Sequence, residues 1–229
     1  MLFDAGFTLT FYDGQRIAAH AASAGVIVDP AAIEGTERPL RAEIQERPGV
    51  PLRTHDDGGK RFLQTVFRRI LELAGAPGSP ADLERAADAV FRGHMERNVW
   101  RRVGAGVPEA LARLRDAGLA LAVVSNSEGT VEAMLEEVGL RRQFEAVFDS
   151  TVVGVSKPDP RIFQMALDRL RLRASEAIMV GDSPTGDITG ASNAGIKAVL
   201  LDPFDFYPWI DAPKFPDVPT FTTALLSGL

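Results

Sequence analysis

The amino-terminal residues place an acid directly after an apolar run. Residues 1–3 are apolar, Asp4 follows them, and Gly6 and the hydroxyl residue Thr8 come next. This pattern predicts a short buried strand that carries a carboxylate to its carboxyl end, where a glycine lets the backbone turn. In open α/β sheets, ligands bind at that edge. Taken alone, Asp4 could be a nucleophile, a metal ligand or the cap of a turn or helix.

A pair of polar residues follows another predicted strand. Residues 119–124 form a continuous apolar run, and Ser125 and Asn126 come directly after it. A hydroxyl and an amide at the end of a strand, just before a helix N-terminus, suit the binding of an anion. The alternative interpretation is that Ser127 or a neighbour simply caps the helix.

One lysine lies in a stretch that contains two prolines. Residues 154–160 read Gly-Val-Ser-Lys-Pro-Asp-Pro, so Lys157 has a serine before it and a proline after it. Surface lysines normally sit on mobile, well-hydrated faces of a protein. The restricted backbone around Lys157 therefore indicates a positive charge that is held in place for a function.

Two acids lie in one short loop near the end of the core. The apolar residues 177–180 lead to Asp182, and Asp187 follows at the start of a predicted helix. Two carboxylates so close together repel each other unless a cation lies between them or they cap donors. With Asp4 arriving on another strand, the three acids predict an all-oxygen Mg²⁺ site.

The order of the predicted elements indicates an α/β fold with an inserted helical domain. From residue 104 onward, apolar runs alternate with helical patterns, as in a parallel sheet covered by helices. Between residues 13 and 103 the periodicity is that of helices. We therefore predict a Rossmann-like parallel-sheet core, residues 1–12 and 104–229, and a helical cap, residues 13–103, inserted after the first strand.

Periodicity and the positions of glycine and proline predict the individual elements. The predicted helices cover residues 16–24, 31–45, 60–73, 81–97, 107–117, 130–138, 160–171 and 187–194. The predicted strands cover residues 1–3, 119–124, 144–148, 177–180 and 197–201. Residues 47–51 and 56–59 are predicted loops, and the tail over 203–219 is predicted to be irregular.

Composition excludes several classes of partner and chemistry. The 229 residues carry a formal net charge of −6, which argues against nucleic acid as a partner. There is no cysteine, so disulfides, thiolate catalysis and cysteine-bound zinc are excluded, and a reducing compartment fits. No apolar run reaches the length of a membrane span, and the N-terminus lacks a signal-peptide pattern. We expect a soluble, cytoplasmic protein that does not bind a membrane.

Taken in order, the four polar stretches resemble the motifs of the haloacid dehalogenase-like hydrolase superfamily. The resemblance covers nearly the whole chain, because the helical insertion after the first motif fits as well. The first motif, Asp-Ala-Gly-x-Thr from Asp4 to Thr8, is similar to that of a subgroup of helical-cap phosphatase-like proteins. The resemblance implies that Asp4 attacks a phosphoryl group, forms an aspartyl-phosphate and also binds Mg²⁺.

The resemblance further implies which residues hold the substrate and the metal. The substrate class that it implies is a small phosphorylated metabolite, whose charge Lys157 would balance. The implied phosphate-binding residues are Thr8, Ser125, Asn126 and Lys157. The implied metal ligands are Asp4, Asp182, Asp187 and the backbone carbonyl of Gly6. Positioning and charge neutralisation of this kind are what phosphoryl transfer requires.

The first motif departs from the usual family pattern at Gly6. The family usually has a second aspartate there, which protonates the leaving oxygen and later deprotonates the attacking water. Glycine offers a carbonyl oxygen but no proton. General acid–base catalysis typically contributes about 10²–10⁴-fold, so sugar phosphates should react slowly and acyl or activated aryl phosphates should suffer least.

Three other functions stay open at this point. A 2-haloacid dehalogenase needs no acid at Gly6, but it also needs no metal, which would leave Asp182 and Asp187 unexplained. A phosphonatase-like enzyme that cleaves a C–P bond would use a cap lysine, for which Lys60 is the candidate. The third alternative is a catalytically weak phosphate- or protein-binding module.

Substrate choice in the superfamily comes from the cap, so several cap residues are candidates for substrate contact. Each of them can equally be a surface or packing residue. The candidates are His20, Arg53, His55, Lys60, His94, Trp100 and Arg101.

Overall fold

The computed structural model of the protein describes residues 1–44 and 60–228. The loops predicted over 47–51 and 56–59 lie outside the described residues, as do Arg53, His55 and the side chain of Lys60. Among the helices that are described, none combines the length and the apolar character needed to cross a membrane.

The described residues form two compact units. Met1–Phe11 together with Val103–Leu229 make one unit, which we call the core. Tyr12–Arg102 make the other, which we call the cap. The short strands β2 and β3 lie where the chain passes from one unit to the other and together form a two-stranded sheet. The strands of the described residues, in chain order, are β1 Leu2–Phe3, β2 Thr10–Phe11, β3 Arg102–Val103, β4 Ala122–Ser125, β5 Ala146–Asp149, β6 Ile178–Gly181, β7 Lys197–Leu201 and β8 Lys214–Phe215.

The core is built on a six-stranded sheet with the order β5-β4-β1-β6-β7-β8, in which neighbouring strands run parallel. The short strand β1 lies in the middle, with Leu2 opposite Ala122 on one side and Met179 on the other. Parallel strands end at the same edge, so the residues that follow β1, β4 and β6 meet there. This sheet confirms the α/β class that the sequence predicts.

Apolar residues cover both faces of the sheet, as expected for buried parallel strands. Side chains alternate between the faces along a strand, and the two residues of β1 accordingly belong to different clusters. Phe3 packs in the cluster that includes Leu111 and Phe221, whereas Leu2 packs in the cluster that includes Phe163. Both β1 side chains are fully buried, so β1 is anchored despite its two-residue length.

Helices flank the core sheet and make up the cap. The α-helices of the described residues are α1 Gly14–Ser23, α2 Pro30–Glu34, α3 Glu37–Ile44, α4 Lys60–Leu73, α5 Pro80–Glu96, α6 Val107–Asp116, α7 Val131–Glu137, α8 Ser150–Val153, α9 Pro160–Leu170, α10 Gly190–Asn193 and α11 Val218–Leu226. Short 3₁₀ helices cover Arg141–Gln143 and Ala174–Glu176, and a π-helix covers Pro184–Thr189.

The prediction of a single helix over 31–45 is wrong, because the structure has two helices, α2 and α3, in that stretch. Pro39 explains the break. Proline inside a continuous helix would remove a hydrogen bond and clash with the preceding turn. The new helix begins at Glu37, so Pro39 lies in its first turn, where proline is tolerated. The hydroxyl of Thr36 donates to the carbonyl of Ile33 at 2.7 Å and closes the junction.

The prediction of an irregular tail over 203–219 is also wrong in part. Strand β8 extends the sheet at its edge, and α11 begins at Val218. Asp217 caps α11, since its side chain accepts the N–H of Thr220 at 2.7 Å, and Pro219 lies in the first turn. The helix predicted over 187–194 likewise begins earlier, with the π-helix at Pro184.

Candidate active site

The backbone of the central strands fixes Asp4. Its N–H donates to the carbonyl oxygen of Val180 at 3.0 Å. The chain then turns back at once, because the N–H groups of Leu9 and Thr10 both donate to the carbonyl oxygen of Ala5, at 2.9 and 3.0 Å. We call residues 5–10 the β1 loop. Its tight turn leaves the carboxylate of Asp4 buried, with only 8% of the residue exposed.

The β1 loop contains two features that cost free energy. Phe7 has a φ of +54°, in the left-handed region that disfavours a residue with a side chain by about 1–2 kcal/mol. The hydroxyl of Thr8 is buried and has no hydrogen-bond partner within the described ranges 1–44 and 60–228. A buried polar group without a partner is costly.

Lys157 binds two acids that follow different strands, Asp4 after β1 and Asp187 after β6. Its Nζ atom donates to Oδ1 of Asp4 and to Oδ1 of Asp187, both at 2.6 Å. Ser125 donates its hydroxyl to the same Oδ1 atom of Asp4 at 3.0 Å. The side chain of Lys157 is only 4% exposed and that of Asp187 is fully buried. The four polar groups therefore form one buried, charge-assisted network.

Burial and charge act in opposite directions on this network. Burial works to lower the pKa of the Lys157 ammonium, but the carboxylates of Asp187 and Asp4 outweigh it and raise that pKa above its usual value. Burial also raises the pKa of Asp187, against the attraction of Lys157. The lysine is therefore a permanent positive charge beside two acids.

Three acids converge at the sheet edge. One carboxylate oxygen each from Asp4, Asp182 and Asp187 lies within 4.8 Å of the others. Asp187 is held from behind, since its Oδ2 atom accepts the N–H of Ser183 at 3.0 Å. The donor set is entirely oxygen and strongly negative, which fits a hard divalent cation such as Mg²⁺. Gly6 is half-buried and has only its backbone to offer to such an ion.

Position 181 must be glycine because Asp187 lies very close to it. Both residues belong to the β6 loop, residues 181–187. A Cβ atom added to Gly181 would overlap the carboxylate of Asp187. Ser183 caps the π-helix that follows, accepting the N–H of Gly186 at 2.8 Å. The loop thus folds back on itself and directs Asp187 toward Lys157.

Asn126 has partners that the sequence alone does not predict. Its Nδ2 atom donates to the backbone carbonyl of Lys157 at 2.9 Å, and its Oδ1 atom accepts the backbone N–H of Lys157 at 2.8 Å. Only one orientation of the amide satisfies both bonds. The side chain of Asn126 is therefore bound to the backbone of residues 154–159, which we call the lysine segment, while Ser125 is bound to Asp4.

One buried acid near the site was not singled out from the sequence. Asp149, at the end of β5, accepts N–H groups from Gly129, Val131 and Thr151 at 3.0–3.3 Å. It thereby ties the segment after Asn126 to the start of α8. The available signal was an acid at the end of a predicted strand, followed by two hydroxyl residues, which is typical of a helix cap.

Two of the cap histidines offered as candidates for substrate contact, His20 and His94, are packed within the cap. His94 is buried, with its ring centroid 5.9 Å from that of Trp100. The ring of His20 lies over Gly93, where an added Cβ atom would overlap it. Trp100 and Arg101 are half-buried. The contacts of His20, His94 and Trp100 are those of packing residues within the cap.

Comparison with known proteins identifies relatives along most of the chain. The model of the haloacid dehalogenase-like hydrolase family matches residues 1–195. Haloacid dehalogenase-like hydrolase domain-containing protein 3 of Mus musculus is 32% identical over 216 residues, which cover 93% of this chain and 85% of the relative. Phosphoserine phosphatase of Thermus thermophilus is 39% identical over 142 residues, or 62% of this chain, and the match spans only 55% of that enzyme's length. Ribulose-1,5-bisphosphate 5-phosphatase of Halopiger xanaduensis is 34% identical over 164 residues, covering 71% and 65% of the two chains.

Solved structures share the fold. The HAD-hydrolase YfnB from Bacillus subtilis, bound to magnesium, has a TM-score of 0.62 at 21% identity and covers 98% of this chain and 97% of its own. The 2-haloacid dehalogenase from Pseudomonas syringae has a TM-score of 0.60 at 23% identity, with coverage of 100% and 98%. The family match over residues 1–195 and the mouse relative confirm the resemblance seen in the sequence. The chain belongs to the haloacid dehalogenase-like hydrolase family.

Proposed function

We propose that the protein is a Mg²⁺-dependent phosphohydrolase in which Asp4 is the nucleophile. The observation that carries the proposal is the buried network in which Lys157 binds Asp4 and Asp187 at once. A lysine beside the nucleophile and three convergent acids supply charges of both signs at one sheet edge. Phosphoryl transfer depends mainly on such positioning and charge compensation.

The first step uses the carboxylate of Asp4. One of its oxygens attacks the phosphorus atom, the bond from phosphorus to the leaving oxygen breaks, and an aspartyl-phosphate remains. Oδ1 of Asp4 accepts hydrogen bonds from Lys157 and Ser125. These bonds fix the rotation of the carboxylate and so orient Oδ2. In this proposal the hydroxyl of Thr8 and the ammonium of Lys157 bind phosphoryl oxygens, which is supported by the lack of a partner for that hydroxyl among the described residues.

The second step returns the enzyme to its starting state. Water attacks the phosphorus atom, the bond to Asp4 breaks and regenerates its carboxylate, and inorganic phosphate leaves, while the proton that the water loses passes to solvent because Gly6 offers no base. When bound by Asp4, Asp182 and Asp187, Mg²⁺ would supply charge neutralisation for the phosphoryl oxygens.

The lack of an acid at Gly6 affects the first step. Gly6 provides no proton, so the leaving oxygen must leave as an anion or take a proton from solvent. This favours acyl and aryl phosphates over alkyl phosphates.

Curated relatives indicate the class of substrate. Relatives of this chain include a phosphoserine phosphatase, a ribulose-1,5-bisphosphate 5-phosphatase and a glyceraldehyde 3-phosphate phosphatase of Pyrococcus abyssi. Each name describes a small phosphorylated metabolite. We extend this class to the present protein as part of the proposal.

The test is hydrolysis of p-nitrophenyl phosphate and acetyl phosphate by the full chain, with Mg²⁺ and with a chelator. We expect phosphate release that requires Mg²⁺ and is abolished in Asp4→Asn. Asp116→Asn is the matched control, because Asp116 is an exposed acid at the end of α6. It should retain the activity of the wild type.

Other outcomes would identify a different function. Release of halide from a 2-haloacid in the presence of chelator would indicate a dehalogenase and overturn the proposal. A wild type that releases no phosphate from either compound, with Gly6→Asp equally inert, would indicate a binding module instead.

A further inference from the structure

We propose that Asn126 is a positioning residue that holds Lys157 in place, rather than a ligand of the substrate phosphate. This inference rests on the proposed phosphohydrolase function. It also reassigns a residue that the family resemblance places among the phosphate ligands.

The backbone of Lys157 has no secondary structure of its own to support it. It lies between the end of α8 at Val153 and the start of α9 at Pro160. Both of its backbone polar groups are satisfied by one side chain, that of Asn126. The following residue is Pro158, which has no N–H to give. The amide of Asn126 is therefore the polar anchor of the lysine segment.

This anchor connects two functional side chains through one strand end. Ser125 is the last residue of β4, and its hydroxyl binds Asp4. Asn126, the next residue, binds the backbone of Lys157, whose Nζ atom binds the same Oδ1 atom of Asp4. The end of β4 therefore fixes the position of the Asp4 carboxylate and that of the Lys157 backbone. A shift of Ser125 or Asn126 would change the distance between Nζ of Lys157 and Oδ1 of Asp4.

A lysine side chain needs such an anchor. Its four-carbon stem is flexible, so Nζ keeps one position between the two acids only if the backbone is fixed. Packing supplies the anchor on the other side of the segment. A Cβ atom added to Gly190 would lie 3.0 Å from Cα of Pro158, so the segment is in close contact with α10. Asn126 supplies the polar half of the support.

The test is a double-mutant cycle of Asn126→Ala and Lys157→Ala, in which phosphate binding and stability are both measured. Calorimetry with inorganic phosphate in the presence of Mg²⁺ gives the Kd for each of the four proteins. We expect Asn126→Ala to weaken phosphate binding about tenfold when Lys157 is present, as for the loss of one charge-assisted contact. In the Lys157→Ala protein, the same change should alter the Kd by less than about twofold.

The effect of Asn126→Ala on stability, unlike its effect on phosphate binding, should not depend on the lysine side chain. The reason is that Asn126 makes its hydrogen bonds with the backbone of residue 157. The backbone remains in Lys157→Ala, so Asn126→Ala should lower the urea midpoint of the metal-free protein equally in both backgrounds. Asn193→Ala, an exposed asparagine at the end of α10, is the matched control and should change neither measurement. If Asn126→Ala fails to fold, Asn126→Ser gives the same comparison with a milder truncation.

The outcomes separate the two roles. If Asn126→Ala weakens phosphate binding equally with and without Lys157, Asn126 is a direct phosphate ligand and the inference is overturned. Equal midpoints for wild type and Asn126→Ala would overturn it as well. A wild type that neither hydrolyses nor binds phosphate would refute the proposed function, while the urea midpoints would still decide whether Asn126 supports the lysine segment.

Discussion

The β1 loop and the β6 loop follow adjacent strands and bring acids to the same edge of the sheet, yet they are built differently. In the β6 loop, Asp187 accepts bonds from Ser183 and Lys157, and Gly181 makes room for its carboxylate. The β1 loop is closed by backbone hydrogen bonds, but Phe7 has a left-handed backbone, and the Thr8 hydroxyl has no partner in the part of the chain that the structure describes.

This difference indicates a division of labour between the loops. The carboxylate of Asp187 already has partners, Ser183 within the β6 loop and Lys157 outside it, so this acid is fixed before any ligand arrives. The β1 loop retains backbone strain and an unmet hydrogen bond beside the proposed nucleophile, and such features are characteristic of functional sites. The comparison predicts that changes in the β6 loop act through the position of Asp187, whereas changes in the β1 loop act on reactivity and strain.

The largest effect is expected from removal of the acid that the β6 loop fixes. Asp187→Asn keeps the shape of the side chain but loses the charge that faces Lys157 and, in the proposed function, the cation. We expect the rate of p-nitrophenyl phosphate hydrolysis to fall by about 10²–10³-fold and the half-saturating Mg²⁺ concentration to rise. Kinetics over a Mg²⁺ titration measures both.

The control for this change is Asp168→Asn, which removes an exposed acid from α9. It should behave like the wild type. An Asp187→Asn protein with an unchanged Mg²⁺ requirement would show that Asp187 serves the lysine alone.

The next effect tests what the β1 loop lacks. Gly6→Asp would add a proton donor beside the leaving oxygen, and general acid–base catalysis is worth about 10²–10⁴-fold. We expect hydrolysis of an alkyl ester such as phosphoserine to gain about 10²-fold, with a smaller gain for p-nitrophenyl phosphate. The ratio of kcat/KM for the two compounds is the measurement.

Gly6→Asn is the matched control, since it has the size of aspartate without its proton. If both variants accelerate phosphoserine hydrolysis equally, the gain comes from shape or metal binding and not from acid catalysis.

A smaller effect should follow from filling the space at Gly181. An alanine there forces the carboxylate of Asp187 to move, and overpacking of this kind costs about 1–3 kcal/mol of unfolding free energy. Urea unfolding measures the loss. Gly35→Ala is the control, because the nearest atom to its added Cβ would lie 3.4 Å away. Equal stability of the two variants would mean that the β6 loop yields easily and does not fix Asp187.

The architecture could be predicted from the sequence because it depends on local patterns. The apolar run over 119–124 and the alternation of runs and helices after residue 104 predict a buried parallel sheet, and the structure confirms this class. The break at Pro39 and the helix capped by Asp217 were missed. Apolar periodicity predicts one helix over 31–45, and the Pro- and Asp-rich composition of 203–219 predicts an irregular tail, but capping and proline chemistry decide the boundaries in both places.

The candidate site could be predicted only in part, for a physical reason. Because parallel strands end at one edge, the acids after β1 and β6 had to lie close together once the sheet was assumed. The partners of Asn126 could not be predicted, since residues 126 and 157 come together only through tertiary packing. An asparagine beside an anion site looks the same in sequence whether it binds the anion or a neighbouring backbone.

The smallest effect concerns the backbone of the β1 loop, and it tests whether the loop is strained at all. Phe7→Ala and Phe7→Gly both remove the ring, including its contact with Phe11 at a centroid distance of 6.3 Å. Only glycine adopts a φ of +54° without a steric cost. We therefore expect Phe7→Gly to be more stable than Phe7→Ala by about 1 kcal/mol, read as a difference in urea midpoints.

This pair separates strain from packing because both variants lose every contact of the ring and differ only in the Cβ atom. If Phe7→Gly is more stable than Phe7→Ala, the backbone of the β1 loop is strained at residue 7, and this strain distinguishes it from the β6 loop. Equal stability would mean that the left-handed turn is relaxed, and the contrast between the loops would then rest on hydrogen-bond partners alone. In that case the feature that distinguishes the β1 loop would be the hydroxyl of Thr8, which has no partner within residues 1–44 and 60–228, rather than the backbone of Phe7.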